Sequence, residues 1–367
     1  MSITRTIIKT TALGCIFAAT NAHAANYIWT GAFDANDFTN VNNWLDKDTG
    51  LVPTMSPDNT IPTEFNGGAT NVANYNAAGT QQVNAIYVSS QTGTGSGTGG
   101  VLNVSAGTLQ GTGQNTRYTY GGKGQTGTVN ISGTGTIDVG GGTRVGIDSN
   151  SVGTLNISDS GTYKGSRGLT ANSISVSTIA GQGNATGNIN VSGSGTYQDR
   201  FGLMLGGFNS TNTGTGNFNI IGGNATVQLG FLNSGSDGKW LQSGDGSTLG
   251  ATIDSSDGFS LSTIEIYDHG TPTDGRVSFE AGALLNLGFS GAAQAGSWTL
   301  MSWGEDFLFE DGGLALDPGV DSNWSFEFVD TGGTTQADSL VVTYVPEPSS
   351  AALLGLGGLA LILRRRK

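Results

Sequence analysis

The sequence predicts an all-β fold: a right-handed parallel β-helix, or solenoid, with an antiparallel C-terminal cap and a processing signal at each end. Three observations predict it. Glycine supplies 62 of the 367 residues, and each interior glycine costs a helix about 1 kcal/mol relative to alanine. Charged residues make up only 12% of the chain, too few for an ordinary disordered tail. One phrase recurs along the middle of the chain with no helical period between its copies.

That phrase reads "GVLNVSAGTL", "GTVNISGTGTI", "GTLNISDSGTY", "GNINVSGSGTY" and "GNFNIIGGNATV". Its asparagines, Asn103, Asn130, Asn156, Asn190 and Asn219, are spaced by 27, 26, 34 and 29 residues. Within a copy the residues alternate, so Leu155 and Ile157 face inward while Thr154, Asn156 and Ser158 face out. Further short alternating pieces follow, as in "SGTGTIDV" and "TRVGI". Three short strands per repeat fit one coil of a solenoid, with coils about 4.8 Å apart. Leucine, isoleucine and valine then stack in internal rows, and the asparagines stack outside as a ladder of amides. The long interval holds "TANSISVSTIAGQGNATG", read as a loop inserted at one corner.

The segments divide accordingly. Residues 1–24 form a signal peptide with bases at Arg5 and Lys9, an apolar stretch, and a small-x-small site at Ala22 and Ala24 that places cleavage before Ala25. Residues 25–99 carry Trp29 and Trp44 and are expected to cap the open end of the rod, where strand edges stand unpaired. Residues 100–239 are the repeats. Residues 240–344 hold longer alternating strands, a closing antiparallel sheet or a final set of widened coils. Residues 345–367 form a tail.

Several functions are disfavoured. The mature chain has no cysteine once Cys15 leaves with the leader, so disulfides and thiol chemistry are excluded. Nine Lys and Arg against 27 Asp and Glu remain between residues 25 and 344, a net charge of −18. Such a surface repels nucleic acid. His269 is the only mature histidine, leaving a serine nucleophile without a base and a transition metal without a second imidazole. No metal site and no cofactor is expected.

Arg117 and Arg144 each follow their asparagine by 14 residues, and Arg167 and Arg200 follow theirs by 11 and 10. The four are candidate glycan-binding residues, with stems able to lie over apolar surface instead.

The tail, "VPEPSSAALLGLGGLALILRRRK", carries a Pro-Glu-Pro breaker at Val345, Pro346, Glu347 and Pro348, an uncharged apolar stretch, and the bases Arg364, Arg365, Arg366 and Lys367. Those bases serve as a stop-transfer cluster on the cytoplasmic side. Thirteen uncharged residues reach only about 20 Å as a helix, a weak transmembrane anchor. This order of features resembles the PEP-CTERM sorting signal of Gram-negative surface proteins. The resemblance implies export through the Sec machinery and transient anchoring in the inner membrane. It further implies cleavage near the proline motif by an exosortase, and a producer that makes exopolysaccharide. The repeats resemble those of other PEP-CTERM proteins and, more loosely, autotransporter stalks.

The expected function is therefore structural and not enzymatic: an adhesin-like surface or matrix protein associated with extracellular polysaccharide. The alternatives are a polysaccharide lyase or glycoside hydrolase, which needs clustered carboxylates or a positioned base, and an ice-binding protein. The latter needs regular rows of threonine, which the variable repeat spacing argues against.

Overall fold

The computed structural model describes residues 27–33, 37–58, 61–65, 72–89, 99–112, 117–122, 124–165, 169–171, 174–207, 214–231, 237–244, 246–269, 275–333, 336–347, 359–361 and 363–364. Short strands of three kinds recur in fixed order. In one coil they are Thr126–Ile131, Thr136–Val139 and Gly142–Ile147. Each pairs in parallel with its equivalents before and after. Asn130 stands opposite Asn103 and Asn156, Ile137 opposite Leu109 and Tyr163, and Val145 opposite Tyr120 and Ala180.

Three long parallel sheets result, faces 1, 2 and 3 in the order the chain visits them. Among the described residues eight coils complete this circuit, beginning at Val72, Gly99, Thr126, Val152, Thr186, Thr215, Thr248 and Leu284 and numbered coils 1 to 8 in that order. At about 4.8 Å per coil they span roughly 34 Å. This is the arrangement of a parallel β-helix.

The core is built from the inward half of each alternation. Face 1 contributes the fully buried row Leu102, Val129, Leu155, Ile189, Phe218, Leu249 and Leu285. Face 2 contributes Leu109, Ile137, Tyr163, Tyr197 and Val227. The tyrosine rings of coils 4 and 5 stack at 5.1 Å, and the edge-on contacts of Tyr197 with Phe218 and of Phe218 with Trp240 continue the column. On the inward side of face 2, Asp199 is fully buried and accepts a 2.9 Å hydrogen bond from the Tyr197 hydroxyl. Burial pushes its carboxyl up to about 7.

Outside, the asparagines form the expected ladder. Each Nδ2 donates to the Oδ1 one coil earlier, from Asn219 back through Asn190, Asn156, Asn130 and Asn103 to Asn74, at 2.7–2.8 Å. It stops where Gly250 replaces asparagine, since a Cβ there would stand 2.1 Å from Asn219 Oδ1. Face 2 carries a second row that variable spacing had argued against. Thr80, Thr108, Thr136, Thr162, Thr196 and Thr226 stand in register. The spacing differences fall in the corners, so the register absorbs them.

The corner from face 3 to face 1 explains the glycine that opens the phrase. Gly146 has φ +71°, and a Cβ on Gly153 would lie 2.0 Å from its nitrogen and 2.1 Å from the Tyr120 carbonyl oxygen. Only hydrogen fits.

The 34-residue interval contains an antiparallel hairpin, Leu169–Ala171 with Ile174–Val176, between faces 2 and 3 of coil 4. The insertion is smaller than the sequence suggested, because Thr178–Gln182 is the face 3 strand itself.

At the N-terminal end Trp29, Phe38, Trp44 and Phe65 pack on one another and on Tyr75 of coil 1, with centroids 5.0–6.3 Å apart. At the other end parallel coils continue through Leu308–Asp311, well past residue 240. Only Trp324–Val329 and Ser339–Tyr344 turn antiparallel, closing face 2 against Gly296–Ser302. The C-terminal region is therefore both further coils and a cap.

Candidate functional site

Face 2 is continuous except near its C-terminal end. The pairing between coils 7 and 8 covers only Ile264 with Met301 and Glu265 with Ser302. Beyond that pair the two coils part and leave a cleft of about 330 Å³ lined by Glu265, Ile266, Tyr267, Asp268, Ser302, Trp303 and Gly304. Gly304 lets the two walls approach closely at one end, as a Cβ there would meet Asp268 Cβ at 2.8 Å.

The polar groups at the mouth are held in place. Glu265 Oε2 accepts hydrogen bonds from Tyr267 Oη at 2.8 Å and Gln228 Nε2 at 3.0 Å. Gln228 Nε2 also donates to Tyr267 Oη at 2.9 Å. Phe231 packs edge-on against Tyr267 with centroids 5.4 Å apart. Trp303 lies at the floor, stacked on Phe309 and donating from Nε1 to the Ala337 carbonyl at 2.8 Å. Asp306 shares a hydrogen bond with Asp268, and that contact between carboxyl groups raises the Asp306 pKa. Beside them Asp237 Oδ1 accepts from the backbone nitrogen of His269 at 2.7 Å.

Chemically the cleft offers aromatic surface beside oriented carboxylates. Sequence reasoning passed over it. Its residues come from two coils, and "IEIYDH" and "LMSWGED" do not resemble each other. The available signal was that each stretch runs off the end of a face 2 strand.

The arginines do not stack as one row. Arg117 pairs opposite Gly142, whereas Arg144 pairs opposite Thr119 and Ile179 on face 3. Arg200 follows the face 2 strand of coil 5, its guanidinium 5.4 Å from the Phe201 ring centroid. Arg167 and the Arg117 side chain lie outside the described residues, as do Ala22, Ala24 and Ala25.

In the tail, Val345, Pro346 and Glu347 are exposed and follow directly on the last strand. Leu359–Leu361 and Leu363–Arg364 are helical, while Pro348, Arg365, Arg366 and Lys367 lie outside the described residues. Among the described residues no helix is long and apolar enough to cross a membrane, and no group of acids and histidines is arranged to hold a metal ion.

Comparison with known proteins identifies one segment. Residues 345–367 match the PEP-CTERM protein-sorting motif. The chain thus carries the sorting signal of an exported protein handled by an exosortase. No curated protein matches the chain, and no solved structure matches it.

Proposed function

We propose that the protein is a structural component of the cell surface or extracellular matrix, adhesin-like and associated with extracellular polysaccharide. The sorting motif at the end of a rigid rod carries this reading. Export through Sec, transient anchoring in the inner membrane of a Gram-negative cell, and exosortase cleavage near Pro346 deliver the rod to the outside. The winding is right-handed, the sense adopted by nearly all parallel strands joined by crossovers. The rod acts without turnover.

Processed protein recovered from the producing cells should co-sediment with their extracellular polysaccharide without generating new chain ends. New reducing or unsaturated ends would replace this reading with a hydrolase or lyase. A second reading, ice binding, has one observation in its favour, the in-register threonine row of face 2. Lys164 and Asp138 interrupt the row beside it, and thermal hysteresis of the processed protein decides the matter.

A further inference from the structure

We propose that the cleft between coils 7 and 8 is a binding site for a neutral glycan, gripped by Tyr267 and Glu265; this rests on the polysaccharide-associated reading and names the site and the ligand's charge class. Three features carry it. The first is shape: the cleft exists because pairing stops at Glu265 and Ser302, and Gly304 forms its narrow end against Asp268. A groove of this size takes one or two pyranose rings and is open along the rod surface, as a polymer requires.

The second is the pairing of surfaces. A pyranose ring presents a C–H face and an equatorial belt of hydroxyls. Tyr267, steadied edge-on by Phe231, offers a flat apolar face to the former. Glu265 offers a carboxylate to the latter. Its Oε2 is occupied by Gln228 and Tyr267, which fix the side chain, and among the described residues Oε1 meets no donor. Hydroxyl-to-carboxylate hydrogen bonds are among the stronger neutral-to-ion contacts.

The third is charge. The lining groups that carry charge at neutral pH, Glu265 and Asp268, are both acidic, and Asp306 interacts with Asp268. The mature chain carries nine basic residues against 27 acidic ones. A uronate or sulfated polymer meets repulsion here, whereas uncharged hydroxyls do not.

The test uses the full chain and its Tyr267→Ala and Glu265→Gln variants, titrated with cellohexaose, dextran and alginate with and without EGTA, alongside thermal unfolding. The wild type should retain at least one neutral glycan and release alginate. Each variant should weaken neutral-glycan binding at least tenfold with unchanged unfolding, and EGTA should have no effect. Unweakened binding by both variants would overturn the site while leaving the polysaccharide reading intact. Loss of binding with EGTA, or preference for alginate, would overturn the neutral-ligand assignment. No binding to these glycans or to the producer's own polymer would overturn the site and the broader reading together.

Discussion

Asn190 donates from Nδ2 to Oδ1 of Asn156 at 2.8 Å although 34 residues separate them. The rung has the same length as that between Asn156 and Asn130, 26 residues apart. Chain length between coils is therefore decoupled from register, and the extra residues of coil 4 leave the stack undisturbed. Each interior asparagine both donates and accepts, so Asn156→Ala removes two bonds and strands two half-buried amide partners. The expected loss is about 1–3 kcal/mol, read from the denaturation midpoint. Asn156→Asp should cost at least as much, because the carboxylate cannot donate to Asn130. An unchanged midpoint in both would reduce the ladder to decoration.

The Gly146 and Gly153 pair makes a sharper claim. A methyl group on Gly153 would sit about 2 Å from two backbone atoms that belong to different coils, and neither can move without shifting a sheet. Gly153→Ala should cost about 3 kcal/mol or more. Gly246→Ala, at φ +74° with nothing within 4 Å of the added carbon, is the control. It should lose only the modest amount expected of alanine in a left-handed conformation.

These two features show how the fold was legible and where legibility ended. The asparagine and the leading glycine are imposed by stacking, so they recur and reveal coils 2 to 6. Coils 7 and 8 were harder to see because Gly250 ends the ladder and aromatic residues replace the small ones. Asn286 in coil 8 stands beyond that glycine. The threonine row was hidden because corners of unequal length obscured an exact register. The cleft was hidden for a different reason: it is a place where pairing stops, and no repeat marks an absence.

The buried carboxyl of Asp199 predicts a pH dependence. Its folded value lies near 7 against an unfolded value of 3.8. Below about pH 4 the group is neutral in both states and destabilises neither. Between 4 and 7 the unfolded chain ionises while the folded chain keeps its proton, so stability falls as pH rises. Above about 7 the loss is complete, on the order of 4 kcal/mol at most. Asp199→Asn keeps the hydrogen bond from Tyr197 without the charge. Its advantage in Tm over the wild type should be near zero at pH 4 and grow to a maximum by pH 8. Parallel Tm curves for the two proteins would show that Asp199 does not titrate in this window.

The tail predicts a processing defect without a folding defect. Pro346 and Glu347 are exposed directly after the Ser339–Tyr344 strand, and the ring of Pro346 ends backbone pairing there and leaves the motif accessible to a protease. Replacing Pro346, Glu347 and Pro348 by alanine in the producing cell should leave full-length protein in the inner membrane, with an unfolding profile equal to the wild type. Normal release, seen by mass spectrometry as the shortened chain outside the cell, would mean that the motif is not the recognised element.

The hairpin of coil 4 predicts its own role. On face 3 the core takes Val145, Ala180, Leu203, Leu205 and Trp240, while Ile179, Met204 and Leu241 alternate with them and form an outward row. Those three are nonetheless at most 2% exposed, because Val176 of the hairpin joins them in a separate apolar cluster. An uncovered apolar row on a parallel sheet would be an association hazard. The insertion thus covers what the alternation left outside, and Arg144, in register beside Ile179, borders it. Val176→Asp places a charge on that cluster. The variant should lose about 2–4 kcal/mol, bind a hydrophobic dye that the wild type excludes, and sediment as larger species, while the Asn130 to Asn156 rung is preserved. Retained stability with no dye binding would mean that the outward row is covered by other means.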